Sequence, residues 1–306
     1  MRLHFDEDFL EIAVFTCATG KAWKIPSMQI TRFHRERERL YRIADADERN
    51  AAFFDLHFEW FREWGLEKFL TTIIAEYPHL EPQLQLLAFR KARAKSDEAA
   101  ALYVNAETGR HGVVAFRAER FDEPEPLGRF LRHEFTHLHD MVDPAFGYTP
   151  ELHAPGFSSA QRRLARDRYR LLWDITIDAR LARAGRATQT PRAAHEAAFQ
   201  RAYGFWPEEK RAQVFGELWN ARQPQHRRLA ELASDPRDLA HVQGPIPGSS
   251  CPLCGFPTFA WAPQIEAKDA LQLIAAIRRD FPNWLPDHGV CARCVEIYEV
   301  AAIQVA

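Results

Sequence analysis

The chain has 306 residues, with 40 Lys and Arg against 42 Asp and Glu, for a formal charge of -2. That length suffices for one sizeable core or two modest ones, and the charge balance gives no global reason to expect a nucleic-acid partner. No apolar run is long enough to span a bilayer and the N-terminus does not read as a signal peptide, so a cytoplasmic location with no membrane association is expected.

Taken in order, residues 1–24 carry Leu10, Ile12, Val14 and Phe15 close together, which predicts a strand or a short helix. The charged run from Arg32 to Arg42 fits a solvated helical face. Phe53 to Ile74 is aromatic and aliphatic at helical spacing, which predicts one or two packed helices, and Leu84 to Ala92 predicts another. The many Phe and Trp residues here read as core. Leu102-Tyr103-Val104 and Val113-Val114-Ala115-Phe116 flank a turn containing Gly109, the pattern of a hairpin.

Pro124 and Pro126 end whatever precedes them. A helix is predicted from Leu127 through Met141, with Leu131, Phe135, Leu138 and Val142 on one face and His133 and His137 on an adjacent side. Asp143-Pro144 favours termination, and residues 143–158 read as a loop. A second long helix is predicted over Ala160–Ala184, ended by Gly185. More helix follows near Ala193–Tyr203, Glu209–Trp219 and Gln225–Ala233. The Gly- and Pro-containing stretch from Pro245 to Ser250 is the best linker, dividing residues 1–247 from 248–306.

His133-Glu134-Phe135-Thr136-His137 is an HExxH sequence. On a helix, residues four apart share a face, so His133 and His137 can reach one ion. Glu134 lies beside them as general base: it takes a proton from the water that the metal activates and passes it to the leaving amine. A third protein ligand is needed, with one position left open. Asp174 and Asp178 stand one turn apart in the otherwise apolar run Leu171-Leu172-Trp173-Asp174-Ile175-Thr176-Ile177-Asp178. Buried carboxylates are costly unless paired or metal-bound, and that cost connects this helix with the two histidines. One aspartate can be the ligand and the other can accept a hydrogen bond from a liganding histidine. The competing reading places both in surface ion pairs, with Arg170 and Arg180 as partners. For an oxyanion donor, Tyr148, His153, His195 and Tyr203 are all open.

Over residues 127–184 the chain resembles zincin metallopeptidases of the gluzincin-like type, in which a second helix carries Glu-x-x-x-Asp. That resemblance implies Asp174 as ligand and Asp178 as the group that orients a histidine, with aspartate one methylene shorter than the family's glutamate. The segment also resembles the Trp-Asn-x-Ala-x-Asp pattern of a group of uncharacterised bacterial metallopeptidase-like proteins, which implies Asp178 as the ligand instead. The reading adopted here is Asp174 as ligand. The implied activity is cleavage of a peptide or protein substrate.

A separate signal lies at the C-terminus. Cys251-Pro252-Leu253-Cys254 and Cys291-Ala292-Arg293-Cys294 are two CxxC pairs, a full set for a structural, four-thiolate zinc. A helix, Ile265 to Arg279, is predicted between them. Cys17 reads as a buried small hydrophobe. Some DNA-associated proteases of the SprT-like type also join HExxH to a C-terminal zinc module, but Arg278, Arg279 and Arg293 do not by themselves form a nucleic-acid surface.

The expected class is therefore α+β: a mostly helical zincin-like domain with a small antiparallel sheet, plus a C-terminal zinc-binding module. One catalytic and one structural zinc are expected. The alternative is a noncatalytic scaffold with a structural zinc and a vestigial HExxH cleft. The same activated water would also serve a non-peptide amide.

Overall fold

The computed structural model describes residues 1–150, 152, 159–234, 248–262 and 271–303. The chain divides into two compact units, Met1–Ser234 and Asp235–Ala306. The architecture is α+β, mostly helical with one small sheet.

In the first unit the order is β1 (Arg2–Phe5), α1 (Glu7–Thr19), α2 (Ser27–Leu40), α3 (Ala46–Glu63), α4 (Leu66–Ile74), α5 (Leu80–Gln83), β2 (Leu86–Lys91), β3 (Ala99–Asn105) and β4 (Gly109–Phe116). Then follow α6 (Pro124–Val142), α7 (Ser159–Arg183), α8 (Arg192–Ala202), α9 (Glu208–Asn220) and α10 (His226–Ser234). The N-terminal segment thus forms both a strand and a helix. The aromatic segment forms two helices, broken at Gly65, whose φ of +80° suits glycine.

Two expectations are corrected. Leu84–Ala92 holds a strand, β2, where a helix was predicted. It is central in a sheet of order β1-β2-β4-β3, so Leu87, Ala88 and Phe89 are all buried and the alternation that marks a strand is absent. The sheet is also mixed, not antiparallel throughout. The β3–β4 hairpin is antiparallel, but β1 and β4 both run parallel to β2.

Phenylalanines fill the first core. Phe9 is fully buried and its ring lies 5.0 Å from Phe116, 6.0 Å from Phe121 and 6.3 Å from both Phe61 and Phe89. Helix α6 begins at Pro124, whose missing N–H costs nothing in a first turn. Its Leu127, Leu131, Phe135, Leu138 and Val142 are buried in this core, each burial stabilising by about 1.5–3 kcal/mol. Helix α7 contributes Leu172, Ile175 and Ile177 to a second core, with Phe199, Phe215 and Leu229 from α8, α9 and α10 and Tyr203 from the end of α8. It ends at Gly185, φ +70°, where Arg186 N–H bonds Leu181 O and Gly185 N–H bonds Ala182 O. The predicted loop at 143–158 is helix-free over 143–150, and most of the remainder lies outside the described residues.

The second unit contains α11 (Leu271–Asp280) and α12 (Ala292–Ile303) around Ile277, Trp284 and Val290. The start of the helix predicted from Ile265, and most of the predicted linker, lie outside the described residues. Among the described residues no helix is long and apolar enough to cross a membrane.

His57 of α3 is buried among Phe15, Phe33 and Phe53, and neither ring nitrogen has a hydrogen-bond partner. Burial, reinforced by Arg37, pushes its pKa down to about 4. Below the unfolded value near 6.5 the unfolded chain takes up a proton that the fold refuses, so stability falls as pH drops toward 4. His57→Leu should remove up to about 3 kcal/mol of that acid loss. Urea midpoints at pH 7 and 4.5 test this, and equal pH slopes in variant and wild type would refute it.

Candidate metal centres

Helix α6 presents His133 and His137 away from the phenylalanine core, toward α7. Their rings lie 5.0 Å apart and both are buried. Asp174 of α7 meets both. Its Oδ1 lies 3.3 Å from His133 Nε2 and 3.0 Å from His137 Nε2. The three ligand atoms lie within 4.8 Å of one another. Zinc bonds of about 2.0–2.2 Å place neighbouring corners of a tetrahedron roughly 3.3–3.6 Å apart, and the two edges from Asp174 match this to within a few tenths of an ångström. Asp174 is also the more accessible of the two aspartates, with 26% of its side chain exposed against none for Asp178.

Asp178, also carried as a candidate ligand, faces the other nitrogen of His133. Its Oδ1 accepts from His133 Nδ1 at 3.1 Å and from the Gln189 amide at 3.0 Å. Its Oδ2 accepts from His195 Nε2 at 2.8 Å and from the Thr190 amide at 2.9 Å. Four donors thus satisfy a wholly buried carboxylate, and the hydrogen bond to Nδ1 leaves Nε2 for a metal. Burial disfavours the charge on Asp178, but hydrogen bonds from His133 and His195 outweigh it and hold the carboxyl below its ordinary range. Burial likewise opposes charge on His133, yet Asp174 and Asp178 raise its pKa to about 10. A cation at Nε2 takes the place of the proton held there.

Neither aspartate pairs with Arg170 or Arg180. Arg180 instead grips Asp140 through two hydrogen bonds of 2.7 and 2.5 Å, and Asp140 also accepts from Trp173 Nε1 at 2.7 Å. Asp140 thereby fixes Trp173, whose ring stands 4.4 Å from that of His137 and walls the site. His139 is half-buried beside His79 and has no part in the cluster.

Glu134 is buried and its Oε2 accepts from the Ala100 amide of β3 at 2.6 Å. Of the candidates for an oxyanion donor, Tyr203 donates to Leu232 O inside the second core and His195 is committed to Asp178. Tyr148 packs 5.5 Å from the Trp173 ring. His153 lies outside the described residues. The role of His195 has no signature in the sequence, because a single histidine on a distant helix has no spacing to read.

In the second unit Cys251 Sγ lies 4.0 Å from Cys294 Sγ, and Cys254 Sγ lies 3.9 Å from Cys291 Sγ. Zinc–sulfur bonds of about 2.3 Å predict a tetrahedral edge of roughly 3.8 Å, whereas a disulfide would need about 2.05 Å. Gly255, φ +74°, makes the first knuckle, its amide bonding Cys251 O. Cys294 sits in the first turn of α12. Burial and the neighbouring sulfurs raise its thiol pKa, a crowding that a shared cation relieves. Cys17 is separate, buried in the first core, where burial pushes its thiol up to about 12.

Comparison with known proteins returns no match to a family model, to a curated protein or to a solved structure.

Asp174→Ala should abolish metal binding at the histidine site. His195→Ala should weaken it by about 10–100-fold, and neither change should alter zinc binding by the four cysteines. Chelator competition with zinc quantified per chain measures both. Retention of full affinity by Asp174→Ala, with loss in Asp178→Ala, would exchange the roles of the two aspartates.

Proposed function

We propose that the first unit is a zinc-dependent hydrolase of peptide bonds, with His133, His137 and Asp174 holding the ion and Glu134 as general base. The convergence of both Nε2 atoms on one carboxylate oxygen, one residue from a buried glutamate, is the observation that carries this reading. Zinc held there supplies Lewis acidity, which makes water acidic and polarises a carbonyl. Three protein donors leave the open position that such chemistry requires.

The chain's own groups account for the remaining work. Glu134 takes the proton of the attacking water and returns it to the departing amine, so one carboxyl serves as base and then acid. Asp178 holds His133 in one tautomer and orientation. Trp173 keeps water from one side of His137.

The edge strand β3 supplies a docking rail. It bonds β4 on one side only, and its outer N–H and C=O groups can pair with an extended main chain. Tyr103 and Val104 are exposed on this strand. Recognition through main-chain groups suits an unfolded peptide segment. The second unit supplies a closed four-thiolate centre, suited to holding structure.

Glu134→Gln should keep zinc at two ions per chain and lower peptide cleavage by about 10²–10⁴-fold. Metal analysis and cleavage of a mixed peptide library check this. Undiminished cleavage by the variant would sink the mechanism. A single zinc, lost only on substituting Cys251 or Cys254, would favour a noncatalytic scaffold.

A further inference from the structure

The 2.6 Å bond between Ala100 N–H and Glu134 Oε2 joins the edge strand to the glutamate. It is the one hydrogen bond described for this buried carboxylate, and a buried carboxylate without donors is strongly disfavoured. In an antiparallel pair, each residue's N–H points either to its partner strand or away from it. Ala100 stands opposite Val114 and gives its N–H to Glu134, so that N–H lies outside the β3–β4 ladder. By the two-residue alternation, Leu102 and Val104 send their amides the same way. No partner is described for either.

The strand is anchored just before this point. Glu98 is buried, and Arg120 holds it through bonds of 2.7 and 2.6 Å, with the Arg117 amide adding a third at 3.1 Å. Residues 117–122 lead directly into α6. Both partners of the Ala100–Glu134 bond are therefore set from one anchored corner. Ala100 and Leu102, on one face of the strand, pack against the core to which α6 contributes.

We propose that the backbone amide of Ala100 is a positioning group for Glu134, and that it makes Leu102 the first free edge residue available to an incoming main chain. This rests on the peptidase reading for its function but not for its geometry. The rail that holds the substrate is thus the same strand that aims the base, so the two keep a fixed spacing.

Two measurements on the zinc-loaded full chain separate the proposal from the reading beneath it. In hydrogen–deuterium exchange at residue resolution, Ala100 should be protected at least about tenfold over Leu102 and Val104, and Glu134→Ala should erase the difference. Equal exchange of the three amides in the wild type would overturn the proposal whether or not the protein cleaves peptides.

In kinetics, Ala100→Pro removes the N–H at an edge position where proline breaks no ladder bond, whereas Ala100→Gly keeps it. Ala100→Pro should lower kcat by about 10–100-fold relative to Ala100→Gly, with KM little changed and both zincs retained. Equal kcat values for the two variants would also overturn it. A wild type that cleaves no peptide refutes the peptidase reading alone, and the exchange data then decide the positioning role. If Ala100→Pro loses zinc or secondary structure, exchange in Glu134→Ala again decides.

Discussion

Two carboxylates on one apolar helix can leave water only if something meets them, and α6 does so with imidazoles. Asp174 takes both Nε2 atoms of the HExxH pair, and Asp178 takes the remaining nitrogen of His133. The second half of the first unit follows from this constraint. Helix α7 must lie against α6 at the level of His133, so its other face is free to build the second core with α8, α9 and α10. The loop after Gly185 must return to supply the Gln189 and Thr190 amides, and α8 must bring His195. A buried charge that demands four donors thus organises a helix, a loop and a second helix. Removing one donor would leave one Asp178 oxygen with a single partner, a cost of about 1.5–3 kcal/mol.

Much of this was legible in the sequence because helical periodicity and metal-ligand spacing are local signals. Helices α6 and α7 lie where the apolar spacing of Leu131, Phe135 and Leu138 and the run around Trp173 predict them. The cost of burying Asp174 and Asp178 pointed across to the histidines without any knowledge of the fold. Strand β2 was not legible, since a strand covered on both faces loses its alternation and reads like a short buried helix. The parallel pairing of β1 and β2 depends on contacts more than eighty residues apart in the chain, as in Arg2 opposite Leu86. His195 and the Ala100 amide were equally hidden. A lone histidine has no motif, and a backbone N–H has no letter.

The two donor sets differ in what they leave open. Cys251, Cys254, Cys291 and Cys294 complete a tetrahedron by themselves, with sulfur separations near the expected edge length. His133, His137 and Asp174 supply three donors, and Glu134, next to His133 in the chain, is bonded to the edge strand. The same coordination rule marks the first set as closed and leaves the second one position short of a tetrahedron. It does so from donor count, independently of any likeness to known proteins.

Trp173 shows how packing and electrostatics are combined around the open set. Its ring stacks on Phe146 at 5.2 Å, stands edge-on to His137 and donates its indole N–H to Asp140. Asp140 is in turn neutralised by Arg180, about one and two-thirds helical turns beyond Asp174 on α7. Burial disfavours charge on Asp140, but the Arg180 bonds outweigh it and keep the carboxylate ionised. An apolar wall beside a metal excludes water but has no orientation of its own. Here a paired charge holds that wall in place without contributing another ligand. The histidine, the wall and its anchor all come from α6 and α7, so the site's polarity and its shape are set by the packing of the same two helices.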